Sequence, residues 1–357
     1  MEIAALVSGG VDSSVVVHQL KEAGYDPTIF YIRIGMEDKD GYIDCPAEED
    51  IEITSYIAKK YGCRFEIVSL HDEYWDRVVS YTIDSVKRGL TPNPDMMCNK
   101  YIKFGCFEEK WGKDFDKIAT GHYATTTEID GKVWLSTAKD PVKDQTDFLG
   151  QITRLQIQKL MFPIGHLMKS EVRAIAEQQK LPSAKRKDSQ GICFLGKINY
   201  NDFIERYLGK RTGKIVELET GKVLGKHNGY WFHTIGQRKG LGIGGRRESL
   251  FILATDTVQN VIWVGEGDAH PGLWRPALHI VPGEIHWVNP ARELTAGQSA
   301  RFSVRIRYRQ PLQGARLFVR DEGAYLVFDR PQRGITPGQF AAWYDGDQLV
   351  GSGVIEG

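Results

Sequence analysis

One stretch near the N-terminus limits what this chain can become. Ile3 to Val7 are apolar and short enough for a buried strand, and Ser8-Gly9-Gly10-Val11-Asp12-Ser13-Ser14 follows directly. Val15, Val16, Val17, Leu20 and Ala23 then continue as a helix pattern. A strand that enters a helix through two glycines leaves several amide N–H groups unpaired at the positive end of the helix dipole, an arrangement that binds phosphate. Gly9 and Gly10 permit the tight turn and close approach of an anion, and Ser8, Ser13 and Ser14 add hydroxyl donors. The GxxxxGK[ST] pattern is absent because no lysine stands at its required place, and GxGxxG is absent too. A plain Ser/Gly cap is the competing reading of these residues.

The same strand-then-helix rhythm runs on to about residue 125. Strands are expected at 28–34, 65–70 and 117–119, and helices at 48–61 and 73–88. Alternation of this kind argues for an α/β fold, a doubly wound parallel sheet with helices on both faces. Ligands of such sheets sit at the carboxyl ends of the strands, which places the glycine turn correctly and makes Ile32 the expected adenine edge. Asp130-Gly131 predicts a hairpin between 125–128 and 133–137. Residues 145–180 read as helix, with Ser170, Glu171 and Val172 near a helix start.

From about 210 glycine becomes frequent between short β-rich runs, and from about 272 strands are expected at 277–280, 298–308, 315–319 and 324–328. The division expected is 1–205 for a catalytic domain, 206–272 for a small central β-rich domain and 273–357 for a C-terminal β-barrel. Hydrophobic residues make up 41% and charged residues 26% of the 357, a globular balance. No run approaches the roughly 20 apolar residues of a membrane span, no signal peptide is visible, and five cysteines do not make a disulfide scaffold. A cytoplasmic protein is expected. Zero net charge leaves any nucleic-acid surface to local clusters.

Two cysteines stand in loops rich in polar residues. Cys98 follows Asn93-Pro94-Asp95 and precedes Lys100; a thiol at a helix start beside a lysine is expected to have a lowered pKa. Cys193 follows Lys185, Arg186 and Lys187. For each, an inert buried thiol is the alternative. Gly121-His122 follows the fourth strand, and Lys143-Asp144-Gln145 enters a helix; a phosphate or base contact and a purely structural role are both open for these. Arg301, Arg305, Arg307 and Arg309 alternate with Phe302, Val304, Ile306 and Tyr308, so one strand is expected to present four guanidiniums to phosphate. The stretch 234–247 is a second glycine-rich basic run.

Taken together, the strings SGGVDSS, GLTPNPDMMCNKYIKF, ATGHYA, KDQTDFL, RKDSQGICFLG, TIGQRKGLGIGG, RIRYRQ and ITPGQFAAWYDGD closely resemble the tRNA-specific 2-thiouridylases. Their first string is that of the PP-loop ATP pyrophosphatases. The resemblance implies ATP-binding positions at Leu6, Val7, Ser8, Gly9, Gly10, Val11, Asp12, Ser13, Ile32 and Gly121. It implies a target-base segment at Asn93, Pro94 and Asp95, with Cys98 as nucleophile, Asp95 as general acid/base and Cys193 as the carrier of a persulfide sulfur. It implies tRNA contacts at His122, Lys143, Asp144, Gln145, Arg307, Tyr308 and Gln339. The implied reaction adenylates O2 of the wobble uridine with ATP and Mg²⁺, Asp12 being a candidate magnesium partner, then transfers sulfur and leaves a Cys98–Cys193 disulfide.

Implied partners are tRNAs for Lys, Glu and Gln and a cysteine desulfurase or sulfur-relay protein. An iron–sulfur cluster on Asp95, Cys98 and Cys193 is the alternative chemistry, and a small-molecule adenylating enzyme is the alternative function. Three features depart from the family pattern: Asp147 stands where an aromatic is usual, Thr125 where an arginine is common, and 33–42 lacks an Asn-Trp pair.

Overall fold

The strand before the glycine turn, β1 (Ile3–Leu6), lies in the middle of a five-stranded parallel sheet in the computed structural model, which describes residues 1–34, 47–188 and 199–356. Its order is β3 (Phe65–Ser69), β2 (Thr28–Arg33), β1, β4 (Lys117–Ala119), β7 (Leu160–Met161). Ala4 pairs with Thr28 on one side and Ile118 on the other. The chain therefore winds outward in one direction from β1 and then in the other from β4, so the turns after these two strands share the switch point where such sheets bind ligands.

Helix α1 (Val11–Glu22) leaves the turn with Val15, Val16, Val17 and Leu20 buried in one core with Ile3, Ala5 and Ala119. Three successive valines are poor helix formers. Burial of each, about 1.5–3 kcal/mol, outweighs that preference. Helix α2 (Ala47–Tyr61) agrees with expectation. The helix expected over 73–88 begins at His71 and is built in three pieces, α3 (His71–Tyr74), a π-helical stretch (Trp75–Val79) and α4 (Ser80–Lys87). Next come α5 (Pro94–Met97), a second π-helical stretch (Cys98–Cys106) and α6 (Phe107–Lys110). The region expected to be wholly helical holds α7 (Arg154–Lys159), the short β7, and α8 (Lys169–Gln178), whose start is fixed by Glu171 accepting from the Met168 N–H.

The hairpin forms as expected from β5 (Thr125–Ile129) and β6 (Lys132–Ser136), with Asp130 and Gly131 both at positive φ. Its position is new information: β6 pairs with β18 (Gln348–Val354) and so extends the C-terminal sheet. After α9 (Tyr200–Leu208), a four-stranded sheet follows in the order β10 (Leu250–Asp256), β11 (Val261–Glu266), β8 (Gly213–Glu217), β9 (Val223–His227).

The C-terminal sheet runs β12 (Trp274–Ile280), β16 (Gly323–Arg333), β15 (Gln313–Arg320), β14 (Ser299–Arg305), β17 (Phe340–Asp345), β18, β6, β5, with β13 (Ile285–Trp287) paired to β18. No helix among the described residues is long and apolar enough to cross a membrane.

Candidate active site

The turn after β1 keeps the shape that its glycines allow. Gly9 has φ +71°, and a Cβ there would stand 2.8 Å from the Asp50 Cα, so α2 seals one side of the turn. Ser13 Oγ accepts from the Ser8 N–H at 3.1 Å, Ser14 Oγ donates to the Gly10 carbonyl at 2.8 Å, and Ser183 Oγ reaches Ser14 Oγ at 2.9 Å. Val7 and Val11 are buried, Leu6 and Gly10 half-buried, and Ser8 exposed. Gly121 closes the other side: a Cβ on it would lie 3.1 Å from the Ser13 nitrogen. Ile32 is half-buried at the end of β2. The positions that the resemblance implies for ATP thus gather at the switch point of the sheet, Leu6 and Ile32 packing towards one core and Val7 and Val11 towards another.

Charges surround this turn, and three of them, Asp50, Lys169 and Arg173, stand on residues that no sequence motif singles out. Asp12 is half-buried and engaged: Lys169 Nζ lies 2.6 and 2.8 Å from its two oxygens and the Tyr123 hydroxyl donates to Oδ1 at 2.8 Å. Burial first, and the Asp12 carboxylate second, push the Tyr123 phenol well above its ordinary pKa, so it stays a donor. Lys169 also contacts Asp188 at 2.9 Å, as do Lys143 at 2.6 Å and Arg173 at 2.6 Å. Burial alone would raise the Asp188 carboxyl, but hydrogen bonds from Lys143 and Lys169 prevail and hold it well below the ordinary range. Arg186 donates to Asp50 at 2.5 Å and to the Gly9 carbonyl at 3.1 Å.

Asp12, the candidate magnesium partner, has both oxygens engaged by the Lys169 ammonium and one also by the Tyr123 phenol. No three His, Cys, Asp or Glu side chains converge as a metal site among the described residues.

Cys98 lies one turn into its helix. Asn93 caps that helix by accepting from the Met96 N–H at 3.2 Å, and Pro94 occupies the first turn. The thiol is 3% exposed and packs among Met96, Met97, Ile102 and Phe104. The expected lowered pKa is corrected: burial pushes the thiol up to about 11, with Lys103 opposing and Asp95 adding to the rise. A helix start favours thiolate only where water or a cation can reach the sulfur.

The loop before this helix is clasped from two sides. Tyr230 of the middle sheet's region donates to the Lys87 carbonyl at 2.5 Å. From the C-terminal section, the Thr91 N–H donates to the Pro337 carbonyl at 2.8 Å, and Gln339 Nε2 donates to the Thr91 and Pro92 carbonyls at 2.9 and 3.1 Å. Gly338, at φ +86°, allows the approach; a Cβ there would lie 2.8 Å from the Leu90 Cβ.

Several positions implied as tRNA contacts are engaged inside the protein. His122 is buried against Phe104 and Phe162, bonded to the Thr120 hydroxyl at 2.9 Å, and held neutral by desolvation that drives its pKa well down. It sits in the core, 9% exposed. Asp144 is 1% exposed, with Arg305 Nη1 2.7 Å away and the Ala138 N–H and Thr146 hydroxyl as further donors. Gln145 is strapped to the Tyr123 backbone.

Tyr308 packs on Phe148 at 4.9 Å between ring centroids, with the Arg309 guanidinium over its ring. The four-arginine face does not form. β14 ends at Arg305, which is buried; Arg301 pairs with Asp329; Arg307 donates to the Gly334 carbonyl and the Thr336 hydroxyl; Arg309 sits at φ +65°. The alternation is read correctly only as far as the strand lasts. Cys193, with the proposed Cys98–Cys193 pairing and the three-ligand cluster on Asp95, Cys98 and Cys193, lies outside the described residues, as does the segment lacking the Asn-Trp pair beyond Ile34.

Comparison with known proteins gives one consistent outcome along the chain. The family model described as "tRNA methyl transferase HUP domain" matches residues 1–197, "tRNA methyl transferase PRC-barrel domain" 201–266, and "Aminomethyltransferase beta-barrel domain" 279–355. The chain is 74% identical over 359 residues to the tRNA-specific 2-thiouridylase MnmA of Parabacteroides distasonis, covering 99% of both. It is 61% identical over 362 residues to that of Porphyromonas gingivalis strain W83, again covering 99% of both. It is 42% identical to that of Halalkalibacterium halodurans, covering 98% of this chain and 93% of the relative.

Proposed function

The chain belongs to the tRNA-specific 2-thiouridylase family, and from that membership we propose that it uses ATP to replace O2 of the wobble uridine of tRNA with sulfur. The full-length match to thiouridylases carries this reading, and the two-glycine turn between β1 and α1 supports it. The uridine O2 attacks the α-phosphorus of ATP, the bond to the bridging oxygen breaks, and pyrophosphate leaves. Unpaired N–H groups at the start of α1 face the departing charge. The outer sulfur of a Cys193 persulfide then attacks C2, and AMP departs with the former O2.

The base is now joined to Cys193 through a disulfide link. The Cys98 thiolate attacks Cys193 Sγ, the S–S electron pair passes to the sulfur on the base, and a Cys98–Cys193 disulfide remains for a thiol reductant to open. Asp95, one turn before Cys98, takes the thiol proton. The uridine must leave its stack to reach these groups.

In this reading 1–205 form the catalytic domain, 206–272 a central domain and 273–357 a barrel. The substrates are tRNAs for Lys, Glu and Gln, the sulfur comes from a cysteine desulfurase or a relay protein, and the setting is the cytoplasm. Nucleoside mass spectrometry of tRNA incubated with the enzyme, ATP and a persulfide donor tests the reading. The expected product is 2-thiouridine at the wobble position. Cys98→Ser is expected to stop its formation while tRNA-dependent release of AMP is limited to about one per enzyme, the base staying joined to Cys193. A wild-type enzyme that releases no AMP and forms no 2-thiouridine overturns the reading.

A further inference from the structure

The glycine turn lacks a lysine of its own, so the cation that meets a polyphosphate must come from elsewhere in the fold. Four cations stand around the crevice. Arg186 is committed to the Gly9 carbonyl and Asp50, Arg173 to the Ala184 and Arg186 carbonyls and Asp188, and Lys143 to Asp188. Lys169 is the one of the four that contacts the helix following the turn, through both oxygens of Asp12.

Its place breaks a local rule. Lys169 is the first residue of α8, where the helix dipole repels a cation and favours acids; Glu171, two residues on, obeys that rule. Its backbone N–H is pinned by Asp140 at 2.9 Å, and its side chain reaches across from α8 to α1, only 13% exposed, with the Tyr123 ring 5.8 Å below the ammonium. An ammonium on a flexible four-carbon stem carries three rotatable donors, so Lys169 can turn from Asp12 and Asp188 towards an anion of higher charge beside the turn.

We propose that Lys169 is the phosphate-binding cation of this nucleotide site, held between Asp12 and Asp188 until ATP arrives and then donating to its β- and γ-phosphates. When the bond from the α-phosphorus to the bridging oxygen breaks, the electron pair goes to pyrophosphate, and the Lys169 N–H donors meet that growing charge with no proton transferred. This role during cleavage rests on the function proposed above; the contact with bound ATP does not require tRNA.

The test compares the affinities of ATP and AMP for the free full-length enzyme by titration calorimetry. Because AMP lacks the β- and γ-phosphates, Lys169→Gln is expected to weaken ATP binding roughly ten- to a hundredfold, the worth of one hydrogen bond to a charged group, and to leave AMP affinity within about twofold. Retained AMP binding also reports an intact crevice, and Lys169→Met, which keeps the stem, repeats the test should glutamine not fold. Lys169→Arg is expected to keep most of the preference for ATP. Equal losses for ATP and AMP, or no loss for either, overturn the proposal. Absence of 2-thiouridine from the wild-type reaction would instead remove the proposed function and leave the ATP-over-AMP comparison standing.

Discussion

At the glycine turn, opposite charges interleave in half-open space: Asp12, Asp50 and Asp188 alternate with Lys143, Lys169, Arg173 and Arg186, and every ion has a partner of the other sign. Around Cys98, in the same domain, the neighbours are Met96, Met97, Ile102 and Phe104, and the thiol is driven towards its neutral form. The first region suits an anion, because Lys169 has only to change partner. The second is closed, and its thiol gains reactivity only when burial is relieved. One domain thus holds a charged site that is ready and a thiol that is withheld, which would keep the thiol from wasteful oxidation until substrate is seated.

The largest effect separating the two regions is the reactivity of Cys98. A shift from the ordinary thiol value to about 11 leaves about a hundredfold less thiolate at neutral pH, before any steric shielding. Iodoacetamide labelling, followed by peptide mass spectrometry, is expected to modify Cys98 at least about a hundredfold more slowly than a free thiol in the absence of tRNA. The rate should rise with pH well beyond 9. Labelling of Cys98 as fast as of a free thiol would erase the contrast.

A smaller effect sharpens it by asking what keeps the thiol closed. The clasp by Gln339 on the Thr91 and Pro92 carbonyls and by Pro337 on the Thr91 N–H joins the barrel to the loop preceding Cys98. Gln339→Ala removes two neutral hydrogen bonds, about 0.5–1.5 kcal/mol each. Labelling of Cys98 is expected to speed up roughly tenfold, with ATP affinity unchanged. Acceleration without a change at the crevice would mark the barrel as the restraint on the thiol; an unchanged rate would assign the closure to the core alone.

The two regions also differ in how far the sequence discloses them. The crevice is legible because its determinants are local: a strand, two glycines and a helix adjacent in sequence, with Gly121 at the end of the next strand. Its ionic surround is not, because Lys169, Asp188 and Asp50 meet Asp12 and Gly9 only through tertiary folding: Asp188 lies in the quoted string before Cys193 and Lys169 just before a helix start, but neither pattern shows that they converge on the turn. Of the adjacent pair His122 and Tyr123, the tyrosine reaches Asp12 while the histidine turns to Thr120 in the core.

For Cys98 the flanking Pro94 and Lys100 indicated a helix start but not the depth of burial, which depends on segments as distant as Phe162 and Leu149. Strand β17 escaped because five of its six residues are buried, which removes the alternation that reveals a strand. Strand β18 escaped because Gly351 and Gly353 interrupt it; a Cβ on Gly351 would stand 2.7 Å from the Trp343 ring.

The smallest effect lies at the seam between catalytic and barrel sections, where charge and burial coincide. Arg305 reaches from β14 to Asp144 at 2.7 Å and to Asp147 at 3.6 Å, with Tyr344 of β17 and Thr146 beside them. One guanidinium faces two carboxylates, and the Asp147 Oδ1 has no hydrogen-bond partner. Desolvation raises the Asp147 pKa to about 7, Arg305 opposing and Asp144 adding.

A carboxyl whose folded pKa is raised costs nothing below its unfolded value near 4 and destabilises increasingly as pH rises through about 7. Buried histidines such as His233, lowered to about 4, act with the opposite sign, their stability being lost as pH falls below about 6.5. The difference between wild type and Asp147→Asn therefore isolates the carboxyl. Asp147→Asn is expected to melt higher than wild type at pH 8, at roughly 2–4 °C per kcal/mol regained. That advantage should shrink steadily towards pH 5. An advantage independent of pH would mean that Asp147 is ionised throughout and that Arg305 serves both carboxylates, which would make the seam resemble the crevice in its charge pairing and the thiol's surroundings in its dryness.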